Sequence, residues 1–309
     1  MKNLSVVFMG TPEFAVPVLD MLIKETNVKL VVTQPDKLVG RKREIEYPPI
    51  KKLALKNNIE VFQPEKIRDE YQKIIDVNPD IVITCAYGQI VPKIILDYPK
   101  YKCINVHASL LPKLRGGAPL NRAIIDGYSE TGVTIMYMDE TLDTGDMISK
   151  YKYNISDDET YLSLLNKLSI EGANLLKTTL PSIIEGTNNR EKQNDEEATY
   201  APIIKREDEH INFNKKCVEV DRLVRGLNNS SYANTIINDI EYKIIEGHYE
   251  IKESIPNKIN IIDKSELAIG CIDGIYYVDV IKPSGKNIMD IKSFLNGVDK
   301  EKFKDYVIK

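Results

Sequence analysis

Histidine is scarce in this chain of 309 residues, with only His107, His210 and His248, so imidazole proton transfer near neutral pH has three candidate carriers. His210 sits in the charged stretch 205–210, and His248 follows Gly247 in a strand-rich region. His107 differs, because it closes the apolar run Cys103-Ile104-Asn105-Val106 and is followed by a loop over 108–117. Residues two apart on a strand share a face, so Asn105 and His107 can address one substrate atom together. An amide that donates to a developing oxyanion, beside an imidazole that moves a proton, is equipment for acyl transfer. The plainer alternative is a strand-end histidine satisfied by a neighbouring backbone group. A zinc site on Cys103 and His107 lacks two further ligands at plausible spacing, so no metal is expected. A carboxylate beside the imidazole would orient it and favour its charged form. Asp139, Glu140, Asp143 and Asp146 all follow the apolar run 133–138; spacing does not choose among them, and an acidic loop is equally a solvated turn. Met9-Gly10-Thr11-Pro12 follows a strand-like run but lacks the GxGxxG pattern, so no dinucleotide site is expected.

These side chains need a scaffold that presents strand ends together. Strand-like runs at 4–9, 28–33, 81–86, 103–107 and 133–138 alternate with amphipathic stretches such as 14–24. That rhythm predicts an α/β fold: a Rossmann-like, mostly parallel sheet with helices on both faces. Ligands of such sheets bind outside the carboxyl ends of the strands, where His107 falls. Leu162, Leu165, Leu168, Leu175 and Leu176 recur at near-helical spacing and predict a long helix over 160–184. The polar run 187–198 has no apolar period and reads as a linker or exposed loop. Beyond it, short strand-like runs at 232–237, 241–251, 258–262, 267–272 and 275–281 suggest a small OB-like β-barrel. Asp273-Gly274 between two of them signals a type I′ hairpin. The expected division is a catalytic domain over 1–186, a linker over 187–204 and the barrel domain over 205–309.

Composition narrows the class. Hydrophobic residues at 42% and charged residues at 28% can bury a core, which excludes a largely disordered or collagen-like chain. Apolar runs such as Leu30-Val31-Val32 fall far short of the ~20 residues a membrane helix needs. With no signal-like apolar stretch at its start and scattered cysteines, Cys85, Cys103, Cys217 and Cys271, without a CxxC pair, the chain is expected in the cytoplasm, without disulfides. No surplus apolar face is evident, and a monomer is expected. The formal net charge of −4 argues against a broadly RNA-binding surface. Yet seven basic residues against two acidic ones between Lys37 and Lys56 make a local +5, a contrast that asks for a reason.

Several motifs in order supply one. Phe8-Met9-Gly10-Thr11-Pro12-Glu13-Phe14-Ala15, Gln34-Pro35-Asp36, Ala86-Tyr87-Gly88-Gln89-Ile90, Asn105-Val106-His107-Ala108-Ser109-Leu110-Leu111-Pro112-Lys113, Arg115-Gly116-Gly117-Ala118-Pro119 and Leu142-Asp143-Thr144-Gly145-Asp146 together resemble the methionyl-tRNA formyltransferases, a branch of the folate-dependent formyltransferases. The resemblance implies that Asn105, His107 and Asp143 form the catalytic set, Asp143 being the acid in the family's Asp-x-Gly position. It implies a formyl donor, 10-formyltetrahydrofolate, bordered by Ser109, Leu110, Leu111 and Pro112, with the pterin near Tyr87, Gly88, Gln89 and Ile90. It implies an acceptor, initiator methionyl-tRNA, whose acceptor stem meets the basic loop at Arg41, Lys42 and Arg43. Two stretches depart from the family pattern: Gly40-Arg41-Lys42-Arg43 replaces Gly-Arg-Gly, and the segment 225–232 replaces one that carries Pro-Trp-Pro-Gly, in keeping with the absence of tryptophan. In the barrel domain, Lys205, Arg206, Lys215, Lys216, Arg222 and Arg225 are the cations available to an RNA. The rivals are a formyltransferase acting on a nucleotide-linked amino sugar, a 10-formyltetrahydrofolate hydrolase and a catalytically silent RNA-binding protein.

Overall fold

Val6, Val7, Phe8 and Met9 are wholly buried, as a near-continuous apolar run demands of a strand covered on both faces. In the computed structural model, which describes residues 1–39, 44–263, 265–300, 303 and 308, this run is β1 (Ser5–Gly10). It is followed by α1 (Val16–Glu25), β2 (Asn27–Val32), a short hairpin of β3 (Lys37–Val39) and β4 (Glu44–Glu46), α2 (Pro49–Lys56), β5 (Val61–Phe62), α3 (Gln72–Asp76), β6 (Ile81–Cys85), α4 (Lys93–Asp97) and β7 (Cys103–His107). After α5 (Pro119–Ile125) come β8 (Glu130–Tyr137), β9 (Met147–Asn154) and the long α6 (Tyr161–Glu185). Seven strands form one sheet in the order β5-β2-β1-β6-β7-β8-β9. The first five are parallel, and β8 and β9 close that side antiparallel. The expected mostly parallel sheet is therefore present. Strand order reverses between β1 and β6, which puts the ligand crevice of an open sheet at the ends of these strands and of the neighbouring β7.

β9 has no counterpart among the expected strands. Its inward residues Met147 and Ile148 are buried, but its later half alternates exposed lysines with half-buried tyrosines. That is the pattern of an edge strand, where charge blocks further pairing.

The described residues divide into two units that interleave along the chain. The first comprises Met1–Pro119, Glu130–Asn154 and Leu165–Pro202; the second comprises Leu120–Ser129, Ile155–Leu164 and Ile203–Lys309. Of the stretch 187–204, expected to be a linker, residues 187–202 group with the first unit. Glu191 and Met147 exchange backbone hydrogen bonds at 2.8 and 2.9 Å, and the Arg115 backbone does the same with Thr199 and Ala201 at 2.9 and 2.7 Å. Composition misleads here because polar side chains bonded to backbone look the same in sequence as those bonded to water.

The second unit is built on α7 (Cys217–Leu227), β10 (Ala233–Ile237), β11 (Ile240–Ile251), β12 (Ile259–Ile262), β13 (Glu266–Gly270), β14 (Gly274–Pro283), β15 (Met289–Asp290) and α8 (Ile291–Asn296). Its antiparallel sheet runs β10-β11-β14-β13-β12, with β15 on β14. Register shifts around Glu246 bend the long β11. Tyr242, Phe294 and Phe303 meet edge to face with centroids 5.6 to 6.2 Å apart, at the centre of a core shared with α7. The left-handed two-residue turn is at Asn238-Asp239 (φ 49° and 62°), between β10 and β11. Asp273 and Gly274 do not adopt positive φ; the Asp273 carboxylate is instead drawn to the first turn of α7, where it accepts the Cys217 N–H at 2.8 Å.

Candidate active site

His107 ends β7 and is 6% exposed. Its Nε2 lies 3.0 Å from the Leu114 carbonyl oxygen, and because a carbonyl only accepts, Nε2 carries the hydrogen. Nδ1 therefore faces Asp143, whose Oδ1 is 3.7 Å away, inside ion-pair range and beyond a hydrogen bond. The backbone-satisfied histidine and the catalytic candidate are thus one residue: one nitrogen anchors the ring, and the other looks into the site.

Asp143 holds a left-handed backbone, φ 54°, and its Oδ2 accepts the Gly116 N–H at 2.9 Å. Gly116 has φ 124°, and a Cβ there would stand 2.6 Å from the Ala201 carbonyl oxygen; only glycine fits. On β7, Asn105 aligns with Thr84 of β6, whose hydroxyl donates to Asn105 Oδ1 at 2.9 Å. That bond turns the Nδ2 donor of Asn105 away from β6. The other three acids are engaged elsewhere. Asp146 pairs with Arg190 at 2.9 Å, Glu140 with Lys93, and Asp139 accepts the backbone N–H of Glu140.

Several of the residues expected to border a folate are held by hydrogen bonds that involve backbone groups. Tyr87 is 4% exposed and belongs to an apolar cluster with Met9, Val32 and Ile95. Burial, reinforced by the nearby Glu70 charge, pushes its hydroxyl far above the usual phenol range, so it stays neutral. Its carbonyl accepts from the Thr11 hydroxyl and the Gln34 amide, each at 3.0 Å, and this joins the ends of β1, β2 and β6. Gln89 Oε1 accepts the Ile67 N–H at 2.9 Å. Gly88 and Ile90 are exposed, Ile90 at 81%. Ser109 donates to the Lys113 carbonyl at 2.6 Å, while Leu111 packs with Met136 and Met147. Leu110 and Pro112 are half-buried. A concavity of about 230 Å³ is lined by Lys93, Leu96, Tyr137, Met138, Asp139 and Arg190, among others.

Arg41, Lys42 and Arg43 lie outside the described residues. The paired strands β3 and β4 expose Leu38 and Ile45. Lys51 bonds Asp36 at 2.6 Å and covers the Tyr47 ring at 4.0 Å. In the second unit the expected RNA-facing cations are largely paired. Arg206 meets Glu209 and Glu241. Arg225 meets Asp221 at 2.6 Å and the Glu159 carbonyl at 2.7 Å, and Lys215 reaches Glu219 at 3.5 Å. Thr84 and the Leu114 carbonyl were not singled out from sequence, since a threonine in an apolar strand and a backbone oxygen carry no signal of their own.

Residues 2–180 match the formyl transferase family model and residues 203–299 match the model of the formyl transferase C-terminal domain. These two matches make the chain a formyl transferase. The chain is 43% identical to the methionyl-tRNA formyltransferase of Macrococcus caseolyticus, over 94% of this chain and 95% of that one. It is 46% identical to the Bacillus licheniformis enzyme of the same name, over 94% of each chain, and 47% identical to that of Listeria monocytogenes, over 94% and 95%. It belongs to the methionyl-tRNA formyltransferase family. Among solved structures, an N-formyltransferase from Helicobacter canadensis in complex with folinic acid and dTDP-3-aminofucose shares the fold, with a TM-score of 0.64, 23% identity, and coverage of 90% of this chain and 98% of that one. No helix among the described residues is long and apolar enough to cross a membrane.

Proposed function

We propose that this protein transfers the formyl group of 10-formyltetrahydrofolate to the α-amine of methionyl initiator tRNA, as a cytoplasmic monomer. The observation that carries the chemistry is the pairing of His107 Nδ1 with Asp143 Oδ1 at 3.7 Å beside the Asn105 amide. Relatives named for methionyl-tRNA at 43 to 47% identity carry the acceptor.

The α-amine attacks the formyl carbon, and its lone pair forms the new C–N bond while the carbonyl oxygen becomes an oxyanion. Asn105 Nδ2, oriented by Thr84, donates to that oxyanion. His107 Nδ1 accepts the proton the amine must lose, with Nε2 anchored on Leu114. Asp143 stabilises the imidazolium so formed, which returns the proton to the folate nitrogen as its bond to the formyl carbon breaks. The products are formylmethionyl-tRNA and tetrahydrofolate, with no proton or electron left over. Folate, consumed at each turnover, is a substrate; it lies against the exposed Gly88 and Ile90 and the concavity that pairs apolar Leu96 and Met138 with charged Lys93 and Arg190. The basic residues Arg41, Lys42 and Arg43 meet the acceptor stem.

The test is formyl transfer by the purified protein from 10-formyltetrahydrofolate to methionyl initiator tRNA, against dTDP-linked amino sugars as the competing acceptor. Formylation of tRNA alone is the expected outcome. Formylation of a sugar with none on tRNA overturns the acceptor, and release of free formate without an acceptor replaces the transferase by a hydrolase.

A further inference from the structure

Asp143 is held in a conformation that a non-glycine residue seldom adopts, and such a turn persists only where its surroundings over-determine it. The group that does so comes from the polar stretch beyond α6. Gln193 is 8% exposed. Its Nε2 donates to the Asp143 carbonyl and to the Gly145 carbonyl, each at 2.8 Å, so both side-chain protons are spent on the turn that contains Asp143. Its Oε1 accepts from Arg115 Nε at 3.0 Å. Arg115 is 2% exposed and donates from Nη2 to Asp195 at 2.7 Å. It stands between Leu114, whose carbonyl anchors His107, and Gly116, whose N–H anchors Asp143. One buried amide thus links the segment that fixes the imidazole to the segment that fixes the carboxylate.

We propose that Gln193 is a positioning residue for formyl transfer, acting through Asp143. It touches no reacting atom; it holds the turn so that Asp143 Oδ1 points at His107 Nδ1. The inference rests on the formyl-transfer reading above. An unanchored turn relaxes toward ordinary φ values and carries the carboxylate off its line, and displacements of about 1 Å in a catalytic group cost up to ~10²-fold in turnover.

The experiment compares wild type, Gln193→Ala, Gln193→Glu and Asp143→Asn. It measures steady-state formylation, together with amide hydrogen exchange over residues 142–146 and over β10–β14 as an internal control. Gln193→Ala is expected to lower kcat by ~10- to 100-fold with KM for both substrates within about threefold, and to speed exchange at 142–146 while β10–β14 is unchanged. Gln193→Glu keeps the acceptor for Arg115 but has no proton for either carbonyl, so it should be at least as impaired. Near-normal kcat, a loss confined to KM, or unchanged exchange at 142–146 overturns the proposal. A wild type that formylates nothing defeats the functional reading instead, and the exchange measurement still decides whether Gln193 holds the turn.

Discussion

Nδ1 of His107 and Oδ1 of Asp143 face each other across 3.7 Å, while the opposite atoms of the two side chains, Nε2 and Oδ2, are each tied to backbone on either side of Arg115. The geometry leaves one nitrogen and one oxygen unspent, both on the same side. Under the proposed function, an N–H entering between them would meet a base and a charge already aligned.

His107→Ala and Asp143→Ala are each expected to lower turnover by ~10²-fold or more, with far-UV circular dichroism close to wild type. Single-turnover formylation measures this. Near-normal turnover in either variant removes that residue from the catalytic set.

Gly116→Ala imposes a Cβ at φ 124° and 2.6 Å from a backbone oxygen. The turn must deform, at a cost of about 1–3 kcal/mol, and the Gly116 N–H then leaves Asp143. Urea unfolding should show a lower midpoint, and kcat should fall along with it. A variant that is both as stable and as active as wild type would contradict the assigned backbone.

The basic run at 41–43 is tested by charge removal. Replacing Arg41 and Lys42 together by alanine should weaken tRNA binding and reduce the slope of log affinity against log salt by roughly one for each phosphate that is no longer neutralised. Folate affinity should not change. An unchanged slope in filter-binding titrations would return this loop to the role of a solvated turn.

All four cysteines are buried, and burial pushes the thiols of Cys85, Cys103, Cys217 and Cys271 upward from their ordinary range. A raised thiol pKa keeps sulfur protonated, and the thiol is the unreactive form. Native protein at pH 8 should therefore take up no iodoacetamide on the timescale that labels a free cysteine. In guanidinium chloride four labels should appear by mass spectrometry. Rapid labelling of any one in the native state would place that residue nearer the surface.

The alternation of apolar runs foretells the parallel sheet, because strands buried on both faces leave little choice of residue, and the run ending at His107 coincides with β7. β9 escapes because an edge strand with lysines outside resembles a loop in composition. Asp273-Gly274 does join two antiparallel strands, β13 and β14, yet the left-handed two-residue turn forms at Asn238-Asp239, and the Asp273 carboxylate accepts the Cys217 N–H of α7 instead. At the site, side-chain candidates on one strand are legible by their two-residue spacing. Their partners are not: Thr84, the Leu114 carbonyl and Gln193 reach the site by backbone geometry and chain crossing, neither of which leaves a periodic trace.

The stretch at 190–201 alters where this enzyme can be cut and rejoined. A protein engineer reading composition would place a seam at 186, just past the long helix, and graft the upstream portion onto another carrier. Such a chimera would inherit Asn105, His107 and Asp143 yet leave behind the glutamine amide and the Thr199–Ala201 backbone that brace them. A donor segment that stops short of Ala201 therefore carries the right letters in an unsupported arrangement.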